Sequence, residues 1–392
     1  MGSPLSIGLD ISALDPSFKA HSGRGIGRYV AELKNFFSKI DREDLDIGFF
    51  TQKDLVERSP LSGILNFLPL GKVTFRQQAL LPIAMASNSL CPFDVLHFPA
   101  HMDPPAWSKK PYIVTVLDLI PLVMADLYKA ANPNWRYHIA RKLEIQAIKN
   151  ASLILAISKN TASDVEHVLG IDPDLIKVTY LGVDEKFFGS TTTEEEENYI
   201  RDKYRIPPKC DLVLYVGGID PRKNVRGLLE PLSFLIRDTE RDIRLFMAGS
   251  IEEDRQYPAL LKMIKELGLN DRVILGGFVP DSDLIKIFQI SAVFLFPSLY
   301  EGFGLPPLEA MASGLPVVSS NRSCLPEVLG DAAIFVDPED SEGIAKAVLE
   351  VIRDKDLSLS LKERGRKQAR LYSWEKTGEA TLNAYLRVAG VI

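Results

Sequence analysis

The sequence predicts an α/β protein made of two domains of similar size, each built around a parallel sheet. A chain of 392 residues exceeds one ordinary hydrophobic core. Short apolar runs alternate with stretches of helical character, which is typical of parallel α/β sheets. A polar, acidic run at residues 189–197 has no core pattern and indicates an exposed linker. We therefore expect domains over residues 1–190 and 191–372, and a final helix over 373–392 that packs back on the first domain.

Composition and charge exclude several classes of protein. Hydrophobic residues make up 46% of the chain and charged residues 25%, as in soluble globular proteins. The net charge of −6 argues against binding nucleic acid through excess positive charge. No apolar run is long enough to span a bilayer, and the N-terminus has no secretory pattern. Three widely spaced cysteines predict a reduced, cytoplasmic protein, and no metal site is expected.

The first predicted strand is followed by a glycine-rich loop. Leu5–Ile11 is the strand, residues 21–27 (HSGRGIG) form the loop, and a helix is expected from Arg28 to Lys39. Glycines between a strand and a helix allow backbone amides to approach a diphosphate closely. A tight turn without a ligand explains the glycines equally well.

The rest of the first half alternates between strands and helices. Strands are predicted at residues 45–50, 95–98, 112–116 and 153–157, with helices such as 75–86 and 135–149 between them. Ligands of parallel sheets lie at the carboxyl ends of strands. The polar residues that follow the predicted strands are His97, His101, Asp118 and Ser158. Asp118 equally suits local backbone capping, and Ser158 suits a helix N-cap.

The helix at 135–149 has an aromatic beginning and four cations, Arg136, Arg141, Lys142 and Lys149. Such a helix can contact an anionic membrane or a lipid-linked substrate. The alternative is a solvated face over an apolar stripe.

The second half restarts with a strand that ends in glycines and two cations. Asp211–Gly218 leads into Arg222 and Lys223 at the carboxyl edge of the predicted sheet. Arginine grips phosphate oxygens in a planar fork and lysine adds a point charge. Ordinary surface charge is the alternative.

The most informative stretch is Phe296–Glu309, which reads FPSLYEGFGLPPLE. The apolar run from Ala292 predicts a buried strand, Gly302 and Gly304 predict a loop, and Pro306 suits the start of a helix. We expect Glu301 in the loop and Glu309 in the first helical turn, near free amides that can bind an anion. The alternatives are a solvated loop acid and a carboxylate that only complements the helix terminus.

Residues 301–318 (EGFGLPPLEAMASGLPVV) and 217–224 (GGIDPRKN) closely resemble motifs of the retaining glycosyltransferases of family 4. That resemblance implies the GT-B architecture, with two facing Rossmann-like domains and a cleft between them. It also implies transfer of a hexose from a nucleoside diphosphate sugar without a metal or other cofactor. Overall likeness is greatest to bacterial enzymes of polysaccharide and O-antigen assembly, so mannose and GDP-mannose are the first expectation and UDP-sugars follow.

The resemblance also assigns roles to residues. Glu301 would bind a hydroxyl of the donor sugar, Glu309 the ribose, and Arg222 and Lys223 the diphosphate. The expected catalytic residues are Glu301, Arg222 and Lys223; the expected donor-binding residues are Gly25, Gly218, Phe278, Val279, Gly302, Phe303, Gly304, Leu305 and Glu309; Asp118 and Ser158 are candidates for an acceptor or sugar contact. Phe278 and Val279 would contact the base through their backbone, although hydrophobic core explains their side chains equally well.

One position departs from the family pattern. Leu117 stands where relatives usually carry a histidine that helps to hold the donor sugar. Because leucine forms no hydrogen bond, we expect donor preference or turnover to differ, and Leu117→His to restore one of them.

The expected partners are a nucleotide sugar and a saccharide or lipid-linked saccharide acceptor, at the inner face of the cell membrane. Two other functions fit the same architecture: a sugar-nucleotide epimerase, or a non-catalytic nucleotide-sugar-binding protein. Release of diphosphate only in the presence of an acceptor distinguishes transfer from both.

Overall fold

The computed structural model describes residues 4–16, 25–58, 75–128, 135–189 and 191–391. These residues form two compact units. The first consists of Met1–Gly182 with Trp374–Ile392, and the second is Val183–Ser373. Most of the glycine-rich loop expected at residues 21–27 lies outside the described residues, which resume at Gly25.

The first unit contains a six-stranded parallel sheet covered by helices. Its strands are β1 Leu5–Asp10, β2 Leu45–Phe50, β3 Val95–Phe98, β4 Tyr112–Val116, β5 Leu153–Ala156 and β6 Ile176–Val178. They are ordered β2-β1-β3-β4-β5-β6, and every adjacent pair is parallel. Its helices are α1 Gly25–Phe37, α2 Gln52–Glu57, α3 Leu81–Ala86, α4 Ile120–Val123, α5 Ala125–Tyr128, α6 Trp135–Lys149, α7 Lys159–Leu169 and, at the end of the chain, α16 Trp374–Val388. Residues 76–80, within the helix predicted at 75–86, form a π-helical turn before α3.

The second unit repeats this plan. Its strands are β7 Asp211–Val216, β8 Ile243–Ala248, β9 Val273–Gly277, β10 Val293–Phe296, β11 Val317–Ser320 and β12 Ala333–Val336. They are ordered β12-β11-β10-β7-β8-β9, again all parallel. Its helices are α8 Glu194–Lys203, α9 Arg226–Asp238, α10 Tyr257–Glu266, α11 Asp281–Ile290, α12 Leu305–Ala312, α13 Leu325–Leu329, α14 Ser341–Arg353 and α15 Lys355–Ala369. The predicted α/β class with two parallel sheets is confirmed.

Each sheet has one point where the strand order reverses. In the first unit this switch point lies between β1 and β3, and in the second it lies between β7 and β10. In open α/β sheets, ligands bind outside the carboxyl ends of the strands at the switch point. The loops after β1, β3, β7 and β10 are therefore where functional residues are expected.

Buried apolar side chains hold each sheet in place. All residues of β3, β4 and β5 are buried, as the continuous apolar runs predict for strands covered on both faces. In the second unit Tyr215 stacks on Phe296, and Phe296 stacks on Phe294, with ring centroids 6.2 and 5.8 Å apart. These rings belong to β7 and β10, the two strands that flank the switch point, and their stacking packs the two strands against each other.

The last helix, α16, packs against elements of the first unit. Tyr385 stacks on Phe37 of α1 at 5.2 Å, and Thr377 donates a hydrogen bond to the carbonyl of Tyr180 at 2.7 Å. Gly378 permits the close approach, because a Cβ atom there would lie 2.3 Å from the ring of Phe36.

Three local predictions were wrong. The acidic run, predicted to be an exposed linker, belongs to the second unit and includes the start of a helix: Thr193 caps α8 in a reciprocal capping box with Glu196, and the four glutamates at 194–197 occupy the positive end of the helix dipole. His97 lies within β3 and not after it. Glu309 is the fifth residue of α12 and not in the first turn, because Gly304 caps the helix and Leu305 is already helical.

Candidate active site

The loops that follow β7 and β10 are joined at the switch point of the second sheet. The amide of Leu299 donates to the carbonyl of Arg222 at 2.7 Å. Asn224 donates through Nδ2 to the carbonyls of Pro297, at 3.1 Å, and Pro338, at 2.7 Å. These bonds fix the segment that carries Arg222 and Lys223 against the segment that leads to Glu301.

Glu301 binds both cations at this point. Its Oε1 accepts from Nζ of Lys223 at 2.7 Å, and its Oε2 accepts from Nη1 of Arg222 at 2.7 Å. The same Nη1 also donates to the carbonyl of Tyr300 at 3.1 Å. Three residues from two loops, 78 or 79 positions apart in the chain, thus form one charged cluster.

The cluster is largely buried, so each charged group depends on the opposite charges beside it to stay ionised. Glu301 is 7% exposed, and the Lys223 side chain is 11% exposed. Burial alone would raise the pKa of the Glu301 carboxyl, but Lys223 and Arg222 outweigh burial and hold that pKa below its ordinary value. Burial also lowers the pKa of Lys223, and Glu301 opposes this only in part. The solvated loop acid considered for Glu301 is therefore wrong.

Two residues that the sequence reasoning did not select fix the backbone of Glu301. The Glu301 amide donates to Oγ of Ser323 at 3.0 Å, and the Cys324 thiol donates to the Glu301 carbonyl at 3.1 Å. Ser323 has φ of 52°, a conformation that is unusual for residues other than glycine. No local sequence pattern predicts this role, because the role arises only when the fold brings residue 323 next to residue 301.

The glycine loop turns directly into α12. Gly304 has φ of 93° and occupies the N-cap, where its added Cβ atom would lie 2.8 Å from the Leu325 side chain. Phe303 is buried and packs edge to face on Tyr372 at 5.6 Å. Gly302, Gly304 and Leu305 therefore offer backbone groups at this edge of the sheet, while the Phe303 ring serves packing. Glu309 lies one turn further along α12 and is 5% exposed.

The other donor residues predicted in the second unit lie on neighbouring loops. Gly218 follows β7, is exposed, and accepts a hydrogen bond from the Tyr215 hydroxyl at 2.6 Å. Phe278 and Val279 follow β9. This strand lies two strands from β7, on the side of β7 opposite to β10. Phe278 is 75% exposed, so hydrophobic core does not explain its ring, whereas Val279 is buried.

In the first unit the predicted residues have local partners. Gly25 begins α1, and a Cβ atom added there would have no atom of the described residues within 4 Å. Oδ1 of Asp118 accepts from the Ile120 amide at 3.1 Å, and Oγ of Ser158 accepts from the Thr161 amide at 3.0 Å as the N-cap of α7. Leu117 is 9% exposed at the end of β4. The capping interpretations of Asp118 and Ser158 thus describe real bonds, and their proposed substrate contacts stay predictions.

Neither a metal cluster nor a membrane span is found in the part of the chain that the structure describes. It contains no group of three or more His, Cys, Asp or Glu side chains arranged to hold a metal ion. None of its helices is long and apolar enough to cross a bilayer.

Two family models match the chain, one for each half. Residues 23–187 match "Glycosyltransferase Family 4", and residues 196–368 match "Glycosyl transferases group 1". The second match contains β7 and β10, the two strands at the switch point of the second sheet, whereas the first match begins after β1.

Curated relatives include mannosyltransferases of Escherichia coli. The chain is 34% identical to the O-antigen chain mannosyltransferase B over 257 residues, which are 65% of each chain. It is 31% identical to the serotype-specific mannosyltransferase WbdA over 272 residues, which are 69% of this chain and 33% of WbdA. The chain thus spans less than two thirds of either relative.

Solved structures share the whole fold. The sucrose-phosphate synthase of Thermosynechococcus elongatus superimposes with a TM-score of 0.74 at 20% identity, covering 99% of this chain and all of that one. Anabaena HepE, solved in complex with UDP and glucose, gives a TM-score of 0.70 at 16% identity, covering 97% and 99% of the two chains. These likenesses confirm the GT-B fold class predicted from sequence.

Proposed function

The chain belongs to the family 4 glycosyltransferases, and on that premise we propose that it transfers a hexose from a nucleoside diphosphate sugar to a saccharide, with retention of anomeric configuration. The observation that supports this most strongly is the cluster of Arg222, Lys223 and Glu301 at the switch point of the second sheet. It brings two cations to the edge of the sheet where ligands of such folds bind. The cations would meet the diphosphate of the donor.

The chemistry of the leaving group explains why cations are needed there. As the bond between C1 and the phosphate oxygen breaks, negative charge grows on the diphosphate and positive charge on the sugar ring. Fixed cations and backbone amides stabilise that charge without having to reorganise. Lys223 has three N–H donors, of which the bond to Glu301 uses one. The Gly302–Gly304 backbone and the beginning of α12 would supply amides, and no metal ion is part of the proposal.

Glu301 would have two roles. Its ion pairs hold Arg222 and Lys223 in one position, and its carboxylate has lone pairs beyond those that these two bonds occupy. Those lone pairs would accept a hydroxyl of the donor sugar, while Glu309 would bind the ribose hydroxyls, as the family resemblance implies.

Mannose is the sugar that the relatives favour. Both E. coli relatives are named mannosyltransferases, so GDP-mannose is our first proposal for the donor. The UDP bound to HepE makes UDP-sugars the second. Calorimetric titration with GDP, UDP and ADP ranks the bases directly: GDP binding most tightly supports the first proposal, and a preference for UDP or ADP contradicts it.

The acceptor is proposed to be a glycan or lipid-linked saccharide, reached from the cytoplasmic face of the membrane. Trp135, Tyr137 and Ile139 at the beginning of α6 are 66%, 40% and 47% exposed. Aromatic and aliphatic side chains on a helix that also exposes Lys142 and Lys149 suit the interface between lipid headgroups and acyl chains.

Product analysis tests the proposal. The protein is incubated with GDP-mannose and a panel of mannosides, with and without EDTA, and release of GDP and the anomeric proton of the product are measured. We expect acceptor-dependent release that EDTA does not change and an α-linked product from the α-linked donor. Epimerised sugar nucleotide without acceptor, or nucleotide binding with no turnover on any acceptor, would overturn it.

A further inference from the structure

The loop after β3 lies at the switch point of the first sheet, and it is held unusually firmly. Nε2 of Gln77 donates to the carbonyls of Met102, at 2.7 Å, and Pro104, at 3.1 Å. Nε2 of Gln52 donates to the carbonyl of Asp103 at 3.0 Å. Buried amide side chains thus fix the carbonyls of three consecutive residues, Met102 to Pro104, in a loop that has no regular secondary structure, as a preorganised binding site requires.

His101 belongs to this loop, and its two ring nitrogens have different surroundings. The residue is 4% exposed, and Nε2 lies 3.4 Å from Oε1 of Glu144 on α6. Glu144 in turn pairs with Arg141. Nδ1 is buried and has no hydrogen-bond partner among the described residues. A buried polar atom without a partner costs free energy, so a ligand that forms a hydrogen bond with Nδ1 would recover that cost.

His97 provides the comparison within the same strand and loop. Its Nδ1 pairs with the Tyr385 hydroxyl at 2.8 Å, and its Nε2 pairs with Oγ1 of Thr115 at 2.8 Å. Both nitrogens are satisfied, which is the pattern of a structural core histidine. His101 is satisfied on one side only, and it lies beyond the carboxyl end of β3, where a ligand of this sheet would bind.

We propose that Nδ1 of His101 accepts a hydrogen bond from a hydroxyl of the saccharide acceptor, with Glu144 as the positioning residue. The carboxylate of Glu144 favours the tautomer with hydrogen on Nε2, so Nδ1 presents a lone pair. A sugar hydroxyl has the donor that this lone pair needs. The inference rests on the proposed transferase function, because that function requires an acceptor site besides the diphosphate site of the second unit.

Two substitutions at position 101 distinguish the contributions of the two ring nitrogens to acceptor binding. In His101→Gln the longer amide reaches towards Glu144, as Nε2 does, whereas in His101→Asn the shorter amide stands near the place of Nδ1. We expect His101→Gln to raise KM for p-nitrophenyl α-D-mannoside by about three- to tenfold, the size of one hydrogen bond, with kcat within about twofold. His101→Asn should raise KM by less. His167→Gln, at an exposed histidine of α7, is the matched control and should change neither constant.

A second readout does not depend on turnover. NMR spectra are recorded of the wild-type protein and of His101→Gln, both labelled with ¹⁵N-histidine. The resonances that are missing from the His101→Gln spectrum belong to His101. Addition of methyl α-D-mannoside should shift its Nδ1 resonance, and Glu144→Gln should reduce that shift.

The outcomes separate the two proposals. Unchanged KM in a folded His101→Gln protein that binds GDP-mannose normally, together with an unmoved Nδ1 resonance, overturns the role of His101 and leaves the transferase intact. If the wild-type protein neither binds a nucleotide sugar nor transfers one, the transferase proposal fails, and the Nδ1 resonance still decides whether a sugar hydroxyl contacts His101.

Discussion

At the scale of single residues, the central feature is a buried carboxylate, Glu301, that pairs with two cations. Removing one member of a buried ion pair leaves an uncompensated charge, which lowers the free energy of unfolding by about 3–5 kcal/mol. Alanine at Glu301 would thus remove function and stability together. Burial of Glu301 and Lys223 gives both residues a structural role in addition to their proposed functional role.

Glu301→Gln should lose most turnover while retaining enough stability to be assayed, because the amide keeps the shape of the carboxyl. We expect kcat/KM to fall by about 100-fold, or ~2.7 kcal/mol of transition-state stabilisation. The control is Glu266→Gln, whose side chain is 62% exposed on α10. Turnover within about twofold of wild type in Glu301→Gln would contradict the role given to this residue.

A second residue-scale prediction concerns pH and the first unit. Burial lowers the pKa of His97 to about 3, so the unfolded chain binds more protons than the folded one below pH 6.5. His97 therefore destabilises the fold as pH falls, by about 2 kcal/mol between pH 7 and 5. Burial and the nearby charge of Asp103 raise the pKa of Asp10 to about 7. The folded chain therefore binds more protons at this carboxyl than the unfolded chain does, and Asp10 stabilises the fold by a similar amount as the pH falls from 7 to 5.

Because these two effects oppose each other, removing either should reveal the other. Relative to wild type, Asp10→Asn should lose stability between pH 7 and 5, and His97→Gln should gain it. All three tryptophans, Trp107, Trp135 and Trp374, belong to the first unit, so denaturation followed by tryptophan fluorescence reports on that unit. Parallel pH dependence in the three proteins would contradict the burial argument.

At the scale of elements, the order of strands explains why residues distant in the chain meet. The sequence predicted every strand of the first sheet except β6, and the pattern of glycine and proline located the loop before α12. It could not predict that Ser323 and Cys324 support Glu301, since that contact joins two loops through the fold. It also missed α8, because four consecutive glutamates resemble a linker until Thr193 is seen to cap them.

The glycines of the site allow a prediction at this scale. Gly218 has open space around its Cα and no positive φ, so Gly218→Ala should leave the free energy of unfolding unchanged while weakening diphosphate binding through a methyl group at the ligand edge. Gly304→Ala should destabilise the second unit by about 1–3 kcal/mol, because the φ of 93° is strained for alanine.

Gly268→Ala is the control for backbone strain alone, since Gly268 has φ of 67°, open surroundings and a position at the end of α10. This variant should lower the free energy of unfolding, and the folded protein should bind the nucleotide as tightly as wild type does. Equal nucleotide affinity in Gly218→Ala and wild type would show that the ligand does not approach this backbone.

At the scale of the whole molecule, the chain forms two units of the same plan, and the proposed functional residues are divided between them. The cluster of Arg222, Lys223 and Glu301 lies entirely in the second unit, and the loop that carries His101 lies entirely in the first. The first unit is completed by the last helix of the chain, through the bond between His97 and Tyr385.

This division predicts that damage to the first unit spares nucleotide binding. Tyr385→Phe leaves Nδ1 of His97 without its partner and should destabilise the first unit by about 1–3 kcal/mol. The dissociation constant for GDP should stay within about twofold of wild type. The control is Tyr199→Phe on α8, whose side chain is 56% exposed and which should change neither quantity. Loss of GDP binding in a folded Tyr385→Phe protein would contradict the proposal that Arg222, Lys223 and Glu309 of the second unit bind most of the nucleotide.

The most direct measurement is a crystal structure of the protein with the nucleoside diphosphate that binds most tightly. We predict diphosphate oxygens within hydrogen-bonding distance of Lys223 and Arg222, and ribose hydroxyls at Glu309. A nucleotide bound away from the loops that follow β7 and β10 would contradict the account.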